Sequence, residues 1–195
     1  LNDVPYFSQL DNKFEPYTAC NVTSLAMCLW YLGIRGNGSQ RQLEDQLYTR
    51  AVDKGWNRFT AMGLKNLAES FDGIKDDLTE KATLKDIREA IDREKICIIH
   101  GFFTAPGHIM VVKGYTDNGF IVNDPYGNWF PWKYDTNEAG GNNKKGEGLE
   151  YSKRLITACC DSWSMGEAEI RYASITSAQA ENEADTIWLH RIYKV

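Results

Sequence analysis

The apolar positions of the chain first repeat at helical spacing and later at strand spacing. Residues 1–18 show neither repeat, and Pro5 and Pro16 favour an extended segment there. Residues 19–32 are apolar enough to form a buried helix, which Gly33 ends, and their apolar positions recur three and four residues apart. These positions are Val22, Leu25, Ala26, Leu29 and Leu32.

Three amphipathic helices are predicted next, each with a candidate N-terminal cap. Ser39 and Thr60 are placed to cap the first two, and Thr83 with Asp86 three residues later resembles a capping box. The apolar faces consist of Leu43, Leu47 and Ala51, of Leu64, Leu67, Ala68 and Phe71, and of Leu84, Ile87, Ala90 and Ile91.

From residue 96 onward the pattern favours strands. Asp117-Asn118-Gly119 is typical of a tight β-hairpin turn, and Pro131 indicates an edge strand or a bend. Helices followed by hairpin-connected strands predict an α+β fold. The predicted strands are residues 96–102, 108–115, 120–123, 128–134 and 187–193.

Residues 135–148 form the one segment of biased composition, because almost every position is polar or glycine. Such a segment cannot supply a core of its own, so we expect a mobile loop. It is either a lid or substrate-contact loop beside a cleft, or a passive surface insertion.

Composition and charge argue against two classes of protein. The chain has 195 residues, of which 43% are hydrophobic and 25% charged, as in a globular protein of one domain. No apolar run approaches the roughly 20 residues that span a bilayer, so we expect no transmembrane segment. A formal net charge of −5 offers no excess of cations to bind a phosphate backbone, which argues against nucleic acid as a partner. The opening LNDVPYFSQL shows no signal peptide.

Cysteine and histidine spacing predicts neither a disulfide framework nor a metal site. The five cysteines are odd in number and form no CxxC pair, and the chain has only three histidines. We expect reduced thiols, at least one of them free. Cys159 and Cys160 are either two ordinary thiols or a strained vicinal disulfide.

Cys20 is the candidate nucleophile. It stands where the extended segment meets the first helix, and the first-turn N–H groups and the helix dipole there favour a thiolate. A cysteine in an apolar helix is otherwise a packing residue, which is how we interpret Cys28 and Cys97. Catalysis by Cys20 therefore needs a base to accept its proton and a third group to orient that base.

The predicted hairpin supplies both of these groups. His108 opens one strand, and Asn123 and Asp124 end the partner strand. Antiparallel pairing about the turn places His108 beside Asn123 or Asp124, whatever the rest of the fold is. The competing interpretation is a surface histidine and an aspartate that begins an Asp-Pro turn.

Three further polar residues, Gln9, His100 and His190, are considered for a role in catalysis. Gln9 lies in the extended segment that approaches the helix start, where its amide N–H can join the Cys20 N–H as an oxyanion hole. The alternative for Gln9 is a solvated surface position. His100 and His190 have no evident partner in the sequence and are interpreted as structural.

Taken in order, these residues resemble a known family. The four blocks are VPYFSQ (4–9), ACNVTSLAM (19–27), GHIMVVKGY (107–115) and VNDP (122–125). They resemble the C39-like branch of the papain-like cysteine peptidases over about residues 4–127. The resemblance implies a papain-like fold with N-terminal helices packed on a C-terminal antiparallel sheet, and hydrolysis of amide bonds without a cofactor.

The resemblance also implies a role for each polar candidate. It makes Cys20 the nucleophile, His108 the base, Asp124 the residue that orients the base, and Gln9 the oxyanion donor. Many relatives carry a small residue after the nucleophile, where this chain has Asn21.

The later part of the chain departs from the family pattern. Residues 128–186 have no counterpart that we can match, so we expect one peptidase domain over residues 1–195 with an insertion around 135–185. An aromatic cluster follows the hairpin and either lines a groove for glycan or peptide or serves as core and edge packing. Its residues are Tyr126, Trp129, Phe130, Trp132 and Tyr134. The candidate substrate-binding residues are Asn21, Trp129 and Trp132.

The substrate is predicted less directly than the reaction. The favoured hypothesis is a peptidoglycan peptidase such as a phage lysin, which acts outside the cytoplasm as a secreted or phage-associated protein. The alternatives are a protease of proteins or leader peptides, and a catalytically inactive binding module on the same fold. Neither the oligomeric state nor the cleaved bond follows from the sequence.

Overall fold

An antiparallel sheet organises the computed structural model, which describes residues 1–39, 41–136 and 144–195. The strands within these residues are β1 (Ile74–Asp76), β2 (Thr79–Ala82), β3 (Ile96–Gly101), β4 (His108–Tyr115), β5 (Gly119–Asn123), β6 (Gly127–Phe130), β7 (Lys133–Thr136), β8 (Leu149–Ser152) and β9 (Ile187–Lys194). The main sheet has the order β1-β9-β3-β4-β5-β8, and β2 also pairs with β9. β6 and β7 form a separate two-stranded sheet.

Helices cover both faces of the main sheet. They are α1 (Cys20–Tyr31), α2 (Leu43–Lys54), α3 (Ala61–Glu69), α4 (Leu84–Asp92), α5 (Lys153–Cys160), α6 (Met165–Ser174) and α7 (Ser177–Glu183). α1 to α3 share one buried apolar cluster with side chains such as Ile98 and Val111. α4, α5 and α6 share a second cluster with side chains such as Ile99 and Met110 from the same strands. The N-terminal helices and antiparallel sheet of the predicted α+β fold are confirmed.

Local signals account for most of the helix starts. The Thr60 side chain caps α3, and Thr83 and Asp86 form both hydrogen bonds of a capping box at α4. The prediction that Ser39 caps α2 is wrong. Its N–H instead donates to Asn37 Oδ1 in a turn, and α2 begins after Gln42 without a side-chain cap.

The hairpin that carries the candidate base forms as predicted. β4 and β5 pair antiparallel, with Val111 opposite Asn123 and a register shift between Val112 and Gly114. The single strand predicted over 128–134 is instead a hairpin of β6 and β7, which turns through Trp132 at a positive φ of 59°. The sequence analysis missed β1 and β2, which are three and four residues long.

The polar segment 135–148 is ordered at both of its described ends. Its first two residues complete β7, and the Gly146 carbonyl accepts a hydrogen bond of 2.8 Å from the Asp124 N–H. A Cβ at Gly146 would lie 1.9 Å from the Asp124 carbonyl oxygen, so the backbone approach requires glycine. Gly146 therefore packs against the end of β5. Residues 137–143, which make up much of the predicted mobile loop, lie outside the described residues.

Residues 149–185 contribute to the core rather than only to the surface. β8 pairs with β5, and α5 buries Leu155 and Ile156 against the sheet. The expectation of an insertion around 135–185 stays a prediction. None of the helices in the described part of the chain is long and apolar enough to cross a bilayer.

Candidate active site

Cys20 is the first residue of α1 and is the most accessible of the five thiols. Its backbone N–H has no acceptor within the helix, because the first N–H groups of a helix have none. All five cysteines are free, and Cys20 alone is partly exposed. Burial raises the pKa of the Cys97 thiol to about 12 and also raises the pKa of Cys28, Cys159 and Cys160.

His108 lies between Cys20 and Asp124. Its Nε2 is 2.7 Å from Oδ1 of Asp124, so Nδ1 is the nitrogen left for the Cys20 thiol, which hydrogen-bonds to the ring. Gly107 at a φ of +91° ends the turn that delivers His108 to the start of β4. The structure therefore brings Cys20, His108 and Asp124 together, and it selects Asp124 over Asn123 as the partner of the histidine.

The Asp124 carboxylate is fully buried and accepts hydrogen bonds at both oxygens. Oδ1 accepts from His108 and from the Tyr126 N–H, and Oδ2 accepts from the Tyr134 and Tyr151 hydroxyls at 2.8 Å each. The Tyr151 hydroxyl in turn accepts a hydrogen bond of 3.0 Å from the backbone N–H of Trp129. The two tyrosine hydroxyls therefore satisfy the acceptor sites of Asp124 that face away from His108.

The electrostatics of the site favour a protonated His108. Phe103, Tyr126 and Tyr134 enclose its ring at centroid distances of 6.5, 6.2 and 5.7 Å. Burial opposes protonation, but the Asp124 carboxylate and the Cys20 thiolate outweigh it and raise the pKa of His108 to about 10. The arrangement can therefore hold a thiolate beside an imidazolium.

Gln9 and Cys20 line the same cleft. Gln9 belongs to a 3-10 turn, and its backbone N–H donates to the Pro125 carbonyl at 2.9 Å. Its Nε2 donates one hydrogen to the Pro16 carbonyl at 2.9 Å, which leaves a second N–H on the same nitrogen. Its Oε1 is buried and has no hydrogen-bond partner among the described residues.

The chain matches a known peptidase family over most of its length. The model of the Peptidase C39 like family matches residues 1–153. The chain belongs to this family. A crystal structure of a Bacillus anthracis protein assigned to the C39-like peptidases has the same fold, with a TM-score of 0.55 and 14% identity. The match covers 100% of this chain and 96% of that one. No curated protein sequence matches the chain.

As a member of the C39-like family, the chain is a cysteine peptidase. A buried arginine, Arg58, supports the loop before Cys20. Arg58 donates to the Asn21 Oδ1 at 2.8 Å, to the Thr18 carbonyl and to the Glu15 carboxylate. Asn21, a predicted substrate-binding residue, borders the cleft but commits its oxygen to Arg58 and to the Val22 N–H. The sequence analysis missed Arg58, since no local pattern links it to a segment 37 residues away.

A cleft of about 610 Å³ runs across the site of this C39-like peptidase. Gln9, Cys20, Asn21 and His108 form part of its wall. Six aromatic side chains also line the cleft, and three of them are largely exposed: Tyr17 at 76%, Phe59 at 59% and Trp163 at 70%. The sequence analysis also missed these three residues. The other aromatic residues of the wall are Phe102, Tyr126 and Trp188.

Trp129 and Trp132 do not belong to the cleft wall in the described residues. They pack edge-to-face against each other and against Tyr172 of α6, and Trp129 is 7% exposed. β6 and β7 turn this pair toward the α5–α6 side of the sheet. Their placement matches the packing interpretation, whereas Tyr126 and Tyr134 of the same cluster contact His108.

His100 and His190, expected to lack partners, contact each other in the structure. Their Nε2 atoms are 2.9 Å apart, and His190 Nδ1 is 2.6 Å from Oδ2 of Asp76. The expectation failed because Asp76 belongs to β1, which pairs with the far end of β9 and gives a weak strand signal. Within the described ranges, no group of three or more His, Cys, Asp or Glu side chains is arranged to hold a metal ion.

Proposed function

We propose that Cys20 is the nucleophile of this peptidase and that His108 transfers its proton. The Cys20 thiolate attacks the carbonyl carbon of a peptide bond and forms a tetrahedral intermediate. His108 then gives its Nδ1 proton to the departing amine as the C–N bond breaks, which leaves a thioester on Cys20. His108 next accepts a proton from water, the resulting hydroxide attacks the thioester, and Cys20 leaves as thiolate.

The oxyanion of both tetrahedral intermediates needs donors beside Cys20. We assign this role to the backbone N–H of Cys20, at the start of α1, and to the free N–H of the Gln9 amide. The Pro16 carbonyl fixes the amide through its other hydrogen, so the donor is oriented before substrate binds. Asp124 holds the tautomer and the orientation of His108.

The observation that carries this proposal is the connected array of Cys20, His108 and Asp124 at the wall of one cleft. The array also argues against the hypothesis of an inactive binding module. Asn21 and Arg58 keep the segment before Cys20 in place and are positioning residues in this mechanism.

For the substrate we propose the peptide part of peptidoglycan. The exposed rings of Tyr17, Phe59 and Trp163 support this choice, because flat apolar rings at an open cleft can pack against sugar rings beside the cleaved peptide. The same rings can accept apolar side chains of an unfolded protein segment, which keeps the protease of proteins or leader peptides as the second candidate.

Purified peptidoglycan of several cell-wall chemotypes, analysed by mass spectrometry after incubation, separates these candidates. Casein serves as the protein substrate in parallel, and Cys20→Ala is the matched control. New amine and carboxyl termini in the peptidoglycan peptides, absent with the control, support the proposal. Cleavage of casein alone supports the second candidate, and cleavage of neither substrate contradicts both.

A further inference from the structure

A second set of titratable side chains extends from the buried core to the cleft wall. Asp76 and His190 are fully buried, with exposures of 1% and 0%, and His190 joins Asp76 to His100. His100 is half-buried, forms part of the cleft wall, and packs against Trp188 with ring centroids 5.7 Å apart. None of these residues takes part in the proposed mechanism.

Burial fixes the number of protons that Asp76 and His190 share. Oδ1 of Asp76 is buried without a partner among the described residues, so an uncompensated carboxylate there is costly. Lys65 donates to the Asp76 carbonyl rather than to its carboxylate and pairs with Glu69 at 3.2 Å, so its charge is already balanced. Asp76 and His190 therefore form a pair without net charge.

The neutral pair determines which nitrogen of His100 carries a proton. In a neutral pair, one proton lies between the Asp76 carboxyl and His190 Nδ1. Whichever of the two groups holds it, His190 Nε2 must also carry a hydrogen, because the pair would otherwise have a negative charge. That hydrogen points at His100 Nε2, 2.9 Å away, which must then accept it. A neutral His100 consequently carries its own hydrogen on Nδ1. Burial and the neighbouring His190 hold the pKa of His100 well below its usual value, which keeps the ring neutral.

Nδ1 of His100 is free to meet a ligand. It has no hydrogen-bond partner among the described residues, and it is not one of the buried polar atoms enclosed by protein. Since His100 lines the cleft, this N–H is accessible to a group bound there.

We propose that His100 is a substrate-binding residue that donates its Nδ1 hydrogen to an acceptor oxygen of the bound peptide, and that Asp76 and His190 are positioning residues that fix this tautomer. The oxygen belongs to a backbone carbonyl or to a carboxylate. The inference rests on the proposed peptidase function and adds a specificity contact to the same cleft.

The tautomer can be measured directly in the full chain. Long-range ¹H–¹⁵N spectra of protein labelled with ¹⁵N-histidine contain only three imidazoles, and His100→Phe assigns the signal. We expect His100 to carry its hydrogen on Nδ1. A hydrogen on Nε2 instead contradicts the proposal.

A titration of the same sample tests the ligand. N-acetylalanine offers a carboxylate, and N-acetylalanine methylamide offers only carbonyl oxygens. A shift of the His100 Nδ1 signal with the first compound alone identifies a carboxylate, and a shift with both identifies a backbone carbonyl. If neither compound moves that signal, His100 does not bind the substrate oxygen.

Kinetics on the substrate identified above supply the functional test. His100→Phe keeps a ring but removes the donor, so we expect KM to rise roughly twofold to tenfold while kcat stays within about twofold. His100→Asn keeps an N–H near the position of Nδ1 and should restore most of the lost affinity. An unchanged KM in His100→Phe overturns the inference. If the wild-type chain cleaves no peptide, the proposed function fails, and the spectra still decide the role of His100.

Discussion

Two histidine–carboxylate pairs of nearly equal length lie in this molecule, and their surroundings differ. His108 is 2.7 Å from Asp124 and His190 is 2.6 Å from Asp76, and both carboxylates are buried. Asp124 accepts from four donors, whereas Oδ1 of Asp76 has no partner in the described part of the chain.

The difference shows that distance alone does not determine what a histidine–aspartate pair does. Four donors stabilise the Asp124 anion, which can then hold a protonated histidine beside a thiolate. The Asp76 side chain lacks such donors and is stable only as part of a neutral pair, so the result of that contact is a fixed tautomer. The His108–Asp124 pair is suited to proton transfer, and the His190–Asp76 pair is suited to fixing a hydrogen-bond donor for a ligand.

The largest effect on turnover should follow from removal of the proposed nucleophile, Cys20, or of the proposed base, His108. Cys20→Ala should abolish turnover, and His108→Ala should reduce kcat/KM by roughly 10²- to 10⁴-fold, because nothing else accepts and returns the proton.

Limiting iodoacetamide near neutral pH should label Cys20 first in the wild type and more slowly in His108→Ala. Circular dichroism and thermal melting provide the control for folding. First labelling at Cys159 or Cys160 contradicts the assignment.

A smaller loss of kcat/KM is expected when the charge of the His108–Asp124 pair is removed. Asp124→Asn keeps an acceptor for the His108 ring, but it removes the charge and one acceptor of the tyrosine hydroxyls. We expect kcat/KM to fall roughly tenfold to hundredfold, which is less than in His108→Ala. A loss equal to that of His108→Ala would mean that the charge of Asp124 is indispensable.

The pH dependence distinguishes the two pairs further. His108 must be protonated to release the amine, so the falling limb of kcat/KM should lie near pH 10 and move to lower pH in Asp124→Asn. Since the folded-state pKa of His108 exceeds the ordinary value of about 6.5, its stabilisation of the fold is complete below that pH. It is lost as the pH rises through 10. Melting temperatures across this range should fall more steeply in the wild type than in His108→Ala, and equal slopes exclude the linkage.

The tyrosines around Asp124 should have moderate and unequal effects. Tyr134→Phe removes one donor to Asp124, whereas Tyr151→Phe also leaves the buried Trp129 N–H without its acceptor. We expect both to lower kcat/KM by about twofold to tenfold, and Tyr151→Phe to cost about 1–3 kcal/mol of unfolding free energy. Urea denaturation of the two variants gives the comparison. A larger stability loss in Tyr134→Phe runs against this account.

The smallest effect on the chemical step is expected at the second pair. Asp76→Asn should leave kcat within about twofold of the wild type, because Asp76 does not contact the reacting atoms. The fold should nevertheless lose about 1–3 kcal/mol of unfolding free energy, since the amide cannot share a proton with His190 and leaves a buried polar group without its partner. Steady-state kinetics and urea denaturation of one preparation give both values. A large drop in kcat with unchanged stability reverses the proposed division of roles.

Sequence reasoning succeeded where the determining contacts are local. The N-terminal position of Cys20, the capping of α3 and α4, and the hairpin that joins His108 to Asp124 all depend on residues within one element or one turn. Gln9 was found through its place in the extended segment that leads to the start of α1. These predictions needed no knowledge of the tertiary structure.

The missed features depend on contacts between distant segments. Arg58 meets Asn21 across 37 residues, and His190 meets Asp76 across 114 residues. Trp129 and Trp132 were assigned to the substrate because an aromatic run does not reveal which face of a hairpin it presents. The structure shows that face only through the packing of Tyr172 from α6.

The short loop between the base and its orienting carboxylate has a consequence for folding. His108 and Asp124 are separated by 16 residues in one hairpin, whereas α1 meets β4 through contacts such as Ser24–Ile109, which span 85 residues. Closure of a long loop costs more chain entropy, so the hairpin can form before α1 docks. The contact between Cys20 and His108 then forms last, when α1 closes onto the sheet.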